Sequence, residues 1–292
     1  MISKPYILHA LSPLHAGIGQ SAGLIDLPIA RLKGTNIPFL PGSSIKGVLR
    51  DACGGSDDEE VAAVFGPHRD DVIKHVGALT CTDARLLALP VRSFWGTFAY
   101  VTSPLLLTLA GRDIQNAPAV PTVTPVNRVI AGAPPDNVNR VMAGPALADG
   151  AMVYLEDLDL TLMPPDKAYN DWLDRLAPVF GTSPGDQKIF RDRFAVVDDE
   201  TMTFLWETAT QLDQRVRIDP KTRTVATGAL WLEESLPPET LLIGILLAEN
   251  SRRSTKEMPP DKILEAALKA GTSLQFGGKS TVGRGRCRML ML

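Results

Sequence analysis

Proline and glycine break nearly every apolar run in this chain, and this limits what it can fold into. The 292 residues hold 24 Gly and 23 Pro, spread along the whole length. Turns and loops must be frequent, and a bundle of long helices is excluded. Between the breaks, strand-like and helix-like stretches mix. PYILHAL (residues 5–11) reads as an opening strand, followed by the Gly-rich loop LSPLHAGIGQSAG and a short extended piece, LIDLPI, interrupted by Pro28. PGSSIKGVLRDACGG predicts a helix: Ser43 or Ser44 can cap it, Ile45, Val48 and Leu49 give an apolar stripe, and Gly54-Gly55 stops it. Strand composition marks residues 79–89, 94–102 and 151–163, and helical periodicity marks 104–114 and 166–177. Residues 194–234 suggest extended ribbons with a turn at Asp219-Pro220; a buried strand (239–248), a helix (259–270) and a closing strand (285–292) follow. Without a strict βαβ rhythm, the expected class is α+β.

Residues 116–150, rich in Pro, Ala, Gly and Asn, carry no sustained periodicity and read as a long loop or insertion. The longest apolar runs, such as Leu241 to Ala248, are far short of a bilayer span, so no membrane partner is expected. The N-terminus reads as a strand and turn and not as a signal peptide. Three scattered cysteines, Cys53, Cys81 and Cys287, offer neither a disulfide framework nor a CxxC pair, which points to a reducing cytoplasm. The histidine spacings, six (His9, His15) and seven (His68, His75), do not place two imidazoles on one helical face as a zinc hydrolase would.

Charge is segregated although the net charge is only −3. Residues 271–292 carry Lys279, Arg284, Arg286 and Arg288 and no acid, whereas residues 57–60 read DDEE, a solvated loop. The terminal stretch also holds Gly277, Gly278, Gly283 and Gly285, so backbone N–H groups and cations are offered together, as a polyanion requires. It is not a nucleotide P-loop, because Ser273 stands where that motif needs glycine. The three arginines alternate as one face of a strand would. PGSSIKG is a second site of the same kind, with Lys46 on the first turn of a helix whose N–H groups are unsatisfied.

Asp26 is the single acid in the first fifty residues, which hold five basic ones. On a surface that grips phosphates a carboxylate weakens binding, so keeping one makes sense if it does chemistry. It could take a proton or hold a divalent cation on a phosphate. The residues alone equally allow a turn-capping Asp26 ahead of Pro28. His15 on the same loop could assist proton transfer or be incidental. Glu233 and Glu234 could approach the same site or sit in a solvated turn before Pro237. Trp206 and Trp231 could stack on bases or, as most aromatics do, pack in the core.

Four blocks occur together in order: GIGQSAGLIDLPIARLKGTNIPFLPGSSIKGVLRD, ALTCTDARLLALPVRSFWGTFAYVTSP, RVRIDPKTRTVATGALWLEESLP and GGKSTVGRGR. They resemble RAMP-superfamily CRISPR proteins, in particular the repeated backbone (fourth) subunit of Cmr-type (type III-B) RNA-targeting effectors. Residues 116–150 match least well. The resemblance implies a single domain over 1–292: an RRM-like (ferredoxin-like) palm with insertions near 55–78 and 116–150, and a β-hairpin thumb near 215–235. It implies a cytoplasmic endoribonuclease that stacks with other copies of itself and other Cmr subunits along a guide RNA, cutting complementary target RNA at regular intervals. Asp26 would be the catalytic carboxylate, with His15 and Glu233 as secondary candidates, and would hold Mg²⁺ or another divalent cation. Ser43, Ser44, Lys46, Gly277, Gly278, Lys279, Arg284 and Arg286, with Arg217 on the hairpin, would contact RNA. The other function class is a non-catalytic RNA-binding scaffold, including the equivalent type III-A subunit. A guide-processing nuclease would want a His paired with Tyr or Lys, which neither His9 nor His15 supplies.

Overall fold

Residues 1–17, 25–54, 59–67, 75–123, 139–181 and 183–292 are described in a computed structural model of the chain. The Gly-rich stretch 18–24 and parts of the expected insertions (55–58, 68–74 and 124–138) lie outside them. The class is α+β, as expected. The chain divides into two compact units: residues 1–85, 211–238 and 242–291 form the first, and residues 86–210 with 239–241 the second, with Leu292 grouped with the second.

The first unit is built on the opening strand, Ile2–Ala10, whose residues Tyr6 to Ala10 are buried without a polar-facing alternation. Such a run needs neighbours on both edges and cover on both faces. Arg286–Met291 lies antiparallel along it, with Tyr6 opposite Met291 and Ala10 opposite Cys287, and Ser273–Gln275 continues the sheet beyond. Leu241–Ala248 flanks the other edge. The helix Gly42–Cys53 buries Ile45 and Leu49 as the sequence suggests, but neither Ser43 nor Ser44 caps it. Pro41 occupies the cap, and the carboxylate of Asp83 accepts the first N–H, from Gly42, at 2.8 Å. A side chain at position 42 would come within 2.2 Å of the Cys81 carbonyl oxygen, so only glycine lets the helix start there.

In the second unit, the end of Ala84–Arg92 pairs with Phe98–Thr102, followed in order by Phe194–Val197, Arg140–Ala143, Leu158–Met163, Met152–Leu155 and Ala148–Asp149. Its core is aromatic: Phe180 stacks on Phe190 at 4.6 Å, and Tyr100 and Phe194 lie 5.1 and 5.2 Å from the same ring. Each such pair adds about 1 kcal/mol to the area it buries.

Four local expectations need correction. Residues 151–163 are two strands joined by a tight turn, in which Glu156 takes φ 49° without the help of a glycine. Residues 194–234 are not all extended: Asp199–Thr208 is a helix, capped by the Asp198 carboxylate accepting from Thr201 N at 2.9 Å. Glu59 and Glu60 open a helix, Glu59–Phe65, in which Val61 to Phe65 are buried, instead of lying in a solvated loop. The supposed loop 116–150 contributes the strands Arg140–Ala143 and Ala148–Asp149.

Candidate functional site

The hairpin anticipated near 215–235 is longer at its base: Gln211–Ile218 pairs antiparallel with Val225–Ser235. At its tip, the Asp219 carboxylate accepts from the amides of Lys221 and Thr222 at 2.7 and 3.3 Å, which shapes the turn after Ile218. The outer part presents Val216, Ile218, Val225 and Leu230 to solvent, each at least 44% exposed, and Arg217 is exposed beside them.

At the hairpin base, three segments distant in sequence are stitched together. Leu14 exchanges backbone hydrogen bonds with Leu236, at 2.8 and 2.9 Å. Residues 25–31 run alongside, with Leu27 N donating to Leu232 O at 3.1 Å and Glu234 N to Leu27 O at 3.0 Å. Ala30 N in turn donates to Ala16 O at 2.7 Å, closing the three-way seam.

Asp26 is exposed on this seam, and its Oδ2 accepts the Leu232 amide at 2.8 Å. The partner is 206 residues away in sequence, so the carboxylate does not cap the turn before Pro28. Among the described residues Oδ1 has no hydrogen-bond partner. One oxygen therefore fixes the side chain and the other is available.

The glutamates behind it are buried, against the reading of a solvated turn. Glu234 spends both oxygens on the Asp26 segment: Oε2 accepts Ile29 N at 3.0 Å, and Oε1 takes Arg31 Nη2 at 2.6 Å. Its carbonyl accepts a hydrogen bond from His15 Nδ1 at 2.7 Å, which leaves Nε2 without the proton in the neutral ring. His15 is 6% exposed and packs so closely on Gly17 that a Cβ there would lie 2.6 Å from Nε2. It thus fastens its loop to the hairpin.

Glu233, 2% exposed, lies among Lys279 Nζ at 3.7 Å and the Nε atoms of Arg215 and Arg284, each at 3.9 Å. Asp213 faces it across the hairpin and binds Arg284 Nη2 directly. Burial pushes the Asp213 carboxyl up, but hydrogen bonds from Gln211 and Arg284 and the charges of Arg284 and Arg215 outweigh it and hold the group below the usual carboxylate range. Glu233 Oε1 and Arg284 Nη1 are left with no hydrogen-bond partner among the described residues. Such orphans are costly, and a polar ligand would satisfy them.

The glycine-rich loop completes this side. Gly278 N donates to His15 O at 2.9 Å, and a Cβ on Gly277 would meet the same carbonyl at 2.4 Å. Gly285, at φ 76°, ends the alternation expected for the three arginines: Arg284 is buried before the strand begins, while Arg286 lies exposed on it. Lys46 is placed elsewhere. Its ammonium donates to Leu79 O at 2.8 Å, and burial lowers its pKa. Ser43 is exposed and Ser44 half-buried on the same helix. Trp206 is core, and Trp231 is half-buried on the hairpin opposite Arg215.

Sequence reasoning assigned no role to Arg31, Asp213 or Asp83. The strand-favouring residues of VATGALWL, followed by no proline before Pro237, were the available sign that the acids belong to a strand. Among the described residues no three His, Cys, Asp or Glu side chains converge as a metal cage. A cation here would draw on Asp26 Oδ1 and on the substrate, the arrangement Mg²⁺ commonly adopts with phosphates.

The RAMP superfamily model matches residues 7–288. The chain belongs to the RAMP superfamily. This RAMP protein is 32% identical over 288 residues to the CRISPR system Cmr endoribonuclease Cmr4 of Pyrococcus furiosus, covering 97% of this chain and 94% of the relative. Its fold matches the crystal structure of oligomeric Cmr4 from the same organism with a TM-score of 0.73 at 25% identity, covering 99% and 98% of the two chains. A subunit of the type III-B Cmr-beta complex bound to cognate target RNA has the same fold, with a TM-score of 0.72 at 21% identity over 100% and 97%.

Proposed function

We propose that this RAMP protein is the repeated backbone subunit of a type III-B CRISPR effector, a cytoplasmic endoribonuclease that stacks with its own copies and other Cmr subunits on a guide RNA. It cuts the target RNA paired to that guide. The observation that carries the reading is the Asp26 carboxylate, fixed through one oxygen by Leu232 N at 2.8 Å with the other oxygen open. Near-full-length similarity to an enzyme named Cmr endoribonuclease Cmr4 supports it.

In this reading the sheet around Ile2–Ala10 is the RRM-like palm and the hairpin Gln211–Ser235 is the thumb. The exposed apolar residues of the thumb press into the guide–target duplex and splay one target nucleotide. Its 2′-oxygen then lies in line with the adjacent phosphorus. Asp26 takes the 2′-OH proton as the O2′–P bond forms and the P–O5′ bond breaks, leaving a 2′,3′-cyclic phosphate and a 5′-hydroxyl once the leaving oxygen gains a proton. Where a divalent cation such as Mg²⁺ binds instead of a proton being taken, Asp26 Oδ1 would offer it one ligand, and the cation would draw charge from the scissile phosphate. Lys279, Arg284 and the Gly277 amide hold backbone phosphates, the Gly278 amide being taken by His15 O, and Lys46 does so from the helix Gly42–Cys53.

The test is reconstitution with guide RNA and partner subunits on an end-labelled complementary target. Regularly spaced cuts that disappear with a non-complementary target and with excess chelator are expected. Tight target binding without cutting would leave only the scaffold role, and cutting unchanged in chelator would remove the metal.

Lys279 is the cleanest probe of the phosphate contacts, since it is half-exposed and its nearest acid is Glu233 at 3.7 Å. Lys279→Glu should weaken guide binding regardless of sequence. It should also flatten the plot of log affinity against log salt by about 0.7, one single-strand phosphate contact. A salt titration by fluorescence anisotropy reads both, and an unchanged slope would place Lys279 off the RNA.

A further inference from the structure

The second unit carries a cavity of about 440 Å³, lined by Phe94, Trp95, Tyr154, Asp149, Glu156, Asp157 and Asp159. Its aromatics are set edge to face: Phe94 stands 6.0 Å from Trp95 at 74° and 6.3 Å from Tyr154 at 71°. Phe94 is 81% and Trp95 45% exposed, an unusual investment for rings of this size unless something covers them.

The walls are held in place. Ser93 Oγ and Phe94 N both donate to Tyr154 O, at 3.1 and 3.2 Å, and Glu156 N donates to Arg92 O at 2.9 Å. The turn that presents Trp95 closes with Ser93 N on Thr97 O at 3.0 Å and puts Gly96 and the non-glycine Thr97 at φ 72° and 75°. A Cβ on Gly96 would lie 2.7 Å from Ala146 O, so this turn is wedged against its neighbour. Asp159 sits directly across from Tyr154 in the adjoining strand, which sets carboxylate and ring on one face.

Four carboxylates around three rings reject phosphate and favour a cation. A guanidinium meets both features at once, its plane lying on an aromatic face while its N–H fork binds carboxylates. Two of the carboxylates already attract one: Arg92, 70% exposed, lies 3.4 Å from Glu156 and 3.9 Å from Asp157. Among the described residues Asp149 and Asp159 have no basic partner. We propose that this cavity docks an arginine side chain presented by a partner protein of a different sequence. Exposed aromatics that anchor arginine are typical of the energetic centre of an interface. The inference does not rest on the RNA-cleaving role.

The experiment uses the full chain with 5-fluorotryptophan, whose four tryptophans give separate ¹⁹F signals. The Trp95 signal is identified by its loss in Trp95→Phe. The probes are the amidated peptide Gly-Arg-Gly-Arg-Gly, its Lys and Glu counterparts, and an oligouridine of matched length. The Arg peptide should shift the Trp95 signal saturably, the Lys peptide should bind at least about tenfold more weakly, and the Glu peptide and RNA should do nothing. Asp157→Lys with Asp159→Lys, both exposed, should weaken the Arg peptide about tenfold or more. Equal response to the Arg and Glu peptides, or an unaffected double variant, would overturn the assignment. A shift caused by RNA would make the cavity a nucleic-acid contact, and a shift on concentrating the protein alone would make its occupant a second copy; either result rejects the proposal.

Discussion

Asp26→Asn is expected to slow target cleavage by about a hundred- to ten-thousandfold, the range a positioned proton acceptor supplies, while target RNA still binds. The two halves of that expectation come from the two oxygens of the carboxylate. Oδ2 holds the Leu232 amide at 2.8 Å, and the carbonyl oxygen of an asparagine can accept the same bond. The segment therefore keeps its place on the hairpin base. Oδ1 is the open atom, and an amide nitrogen there neither takes a proton nor ligates a cation. Removing one negative charge from a phosphate-binding surface should, if anything, tighten RNA binding slightly. Single-turnover cleavage measured beside a binding isotherm separates the two effects. Cleavage at the parental rate would remove Asp26 from the chemistry, and a parallel loss of cleavage and binding would make it a structural residue.

Glu234→Ala should destabilise the protein by about 3 kcal/mol or more, the usual cost of breaking one side of a buried ion pair. The change takes the carboxylate from Arg31, bound at 2.6 Å, and from Ile29 N, bound at 3.0 Å, on one short segment. Only Arg31, 18% exposed, can recover part of the loss by turning to water. Because those partners lie three and five residues beyond Asp26 on the same segment, cleavage should fall in the folded variant although Asp26 is untouched. Glu234→Gln retains an acceptor for Ile29 N and loses the charge, so it should lie between. Chemical denaturation gives the stability and amide hydrogen exchange at Ile29 gives the local loosening. A variant as stable as the parent, with Ile29 still protected, would show that the buried pair contributes nothing to the seam.

How much of this was legible beforehand depended on whether the cause was local. The hairpin was, because Asp219-Pro220 makes its own turn and the flanking residues alternate. Asp26 was, because a lone acid among five basic residues is visible without a structure. The buried glutamates were not. An acidic pair before two prolines reads as a solvated turn, and what permits its burial is cations from residues 31, 215, 279 and 284, which no sequence window contains. The turn at Glu156 was missed for a related reason, since no glycine or proline marks it and the pairing of its strands supplies its positive φ. The helix Asp199–Thr208 could have been read: Asp198 is a sound N-cap with two acids behind it, and strand-like neighbours obscured that signal.

The pairing of Tyr6 with Met291 imposes an order on biosynthesis. Ile2–Ala10 leaves the ribosome with no Arg286–Met291 to lie against until everything between the two strands has been made. The second unit waits for far less, because the strands from Leu86 to Val197 emerge in one continuous stretch and pair among themselves. During translation the second unit can therefore be ordered while the strand Ile2–Ala10, apolar and short of partners, is still exposed to aggregation. Slow translation between the two strands prolongs that exposure, and the hairpin seam that holds Asp26 cannot close before Leu236 has been made.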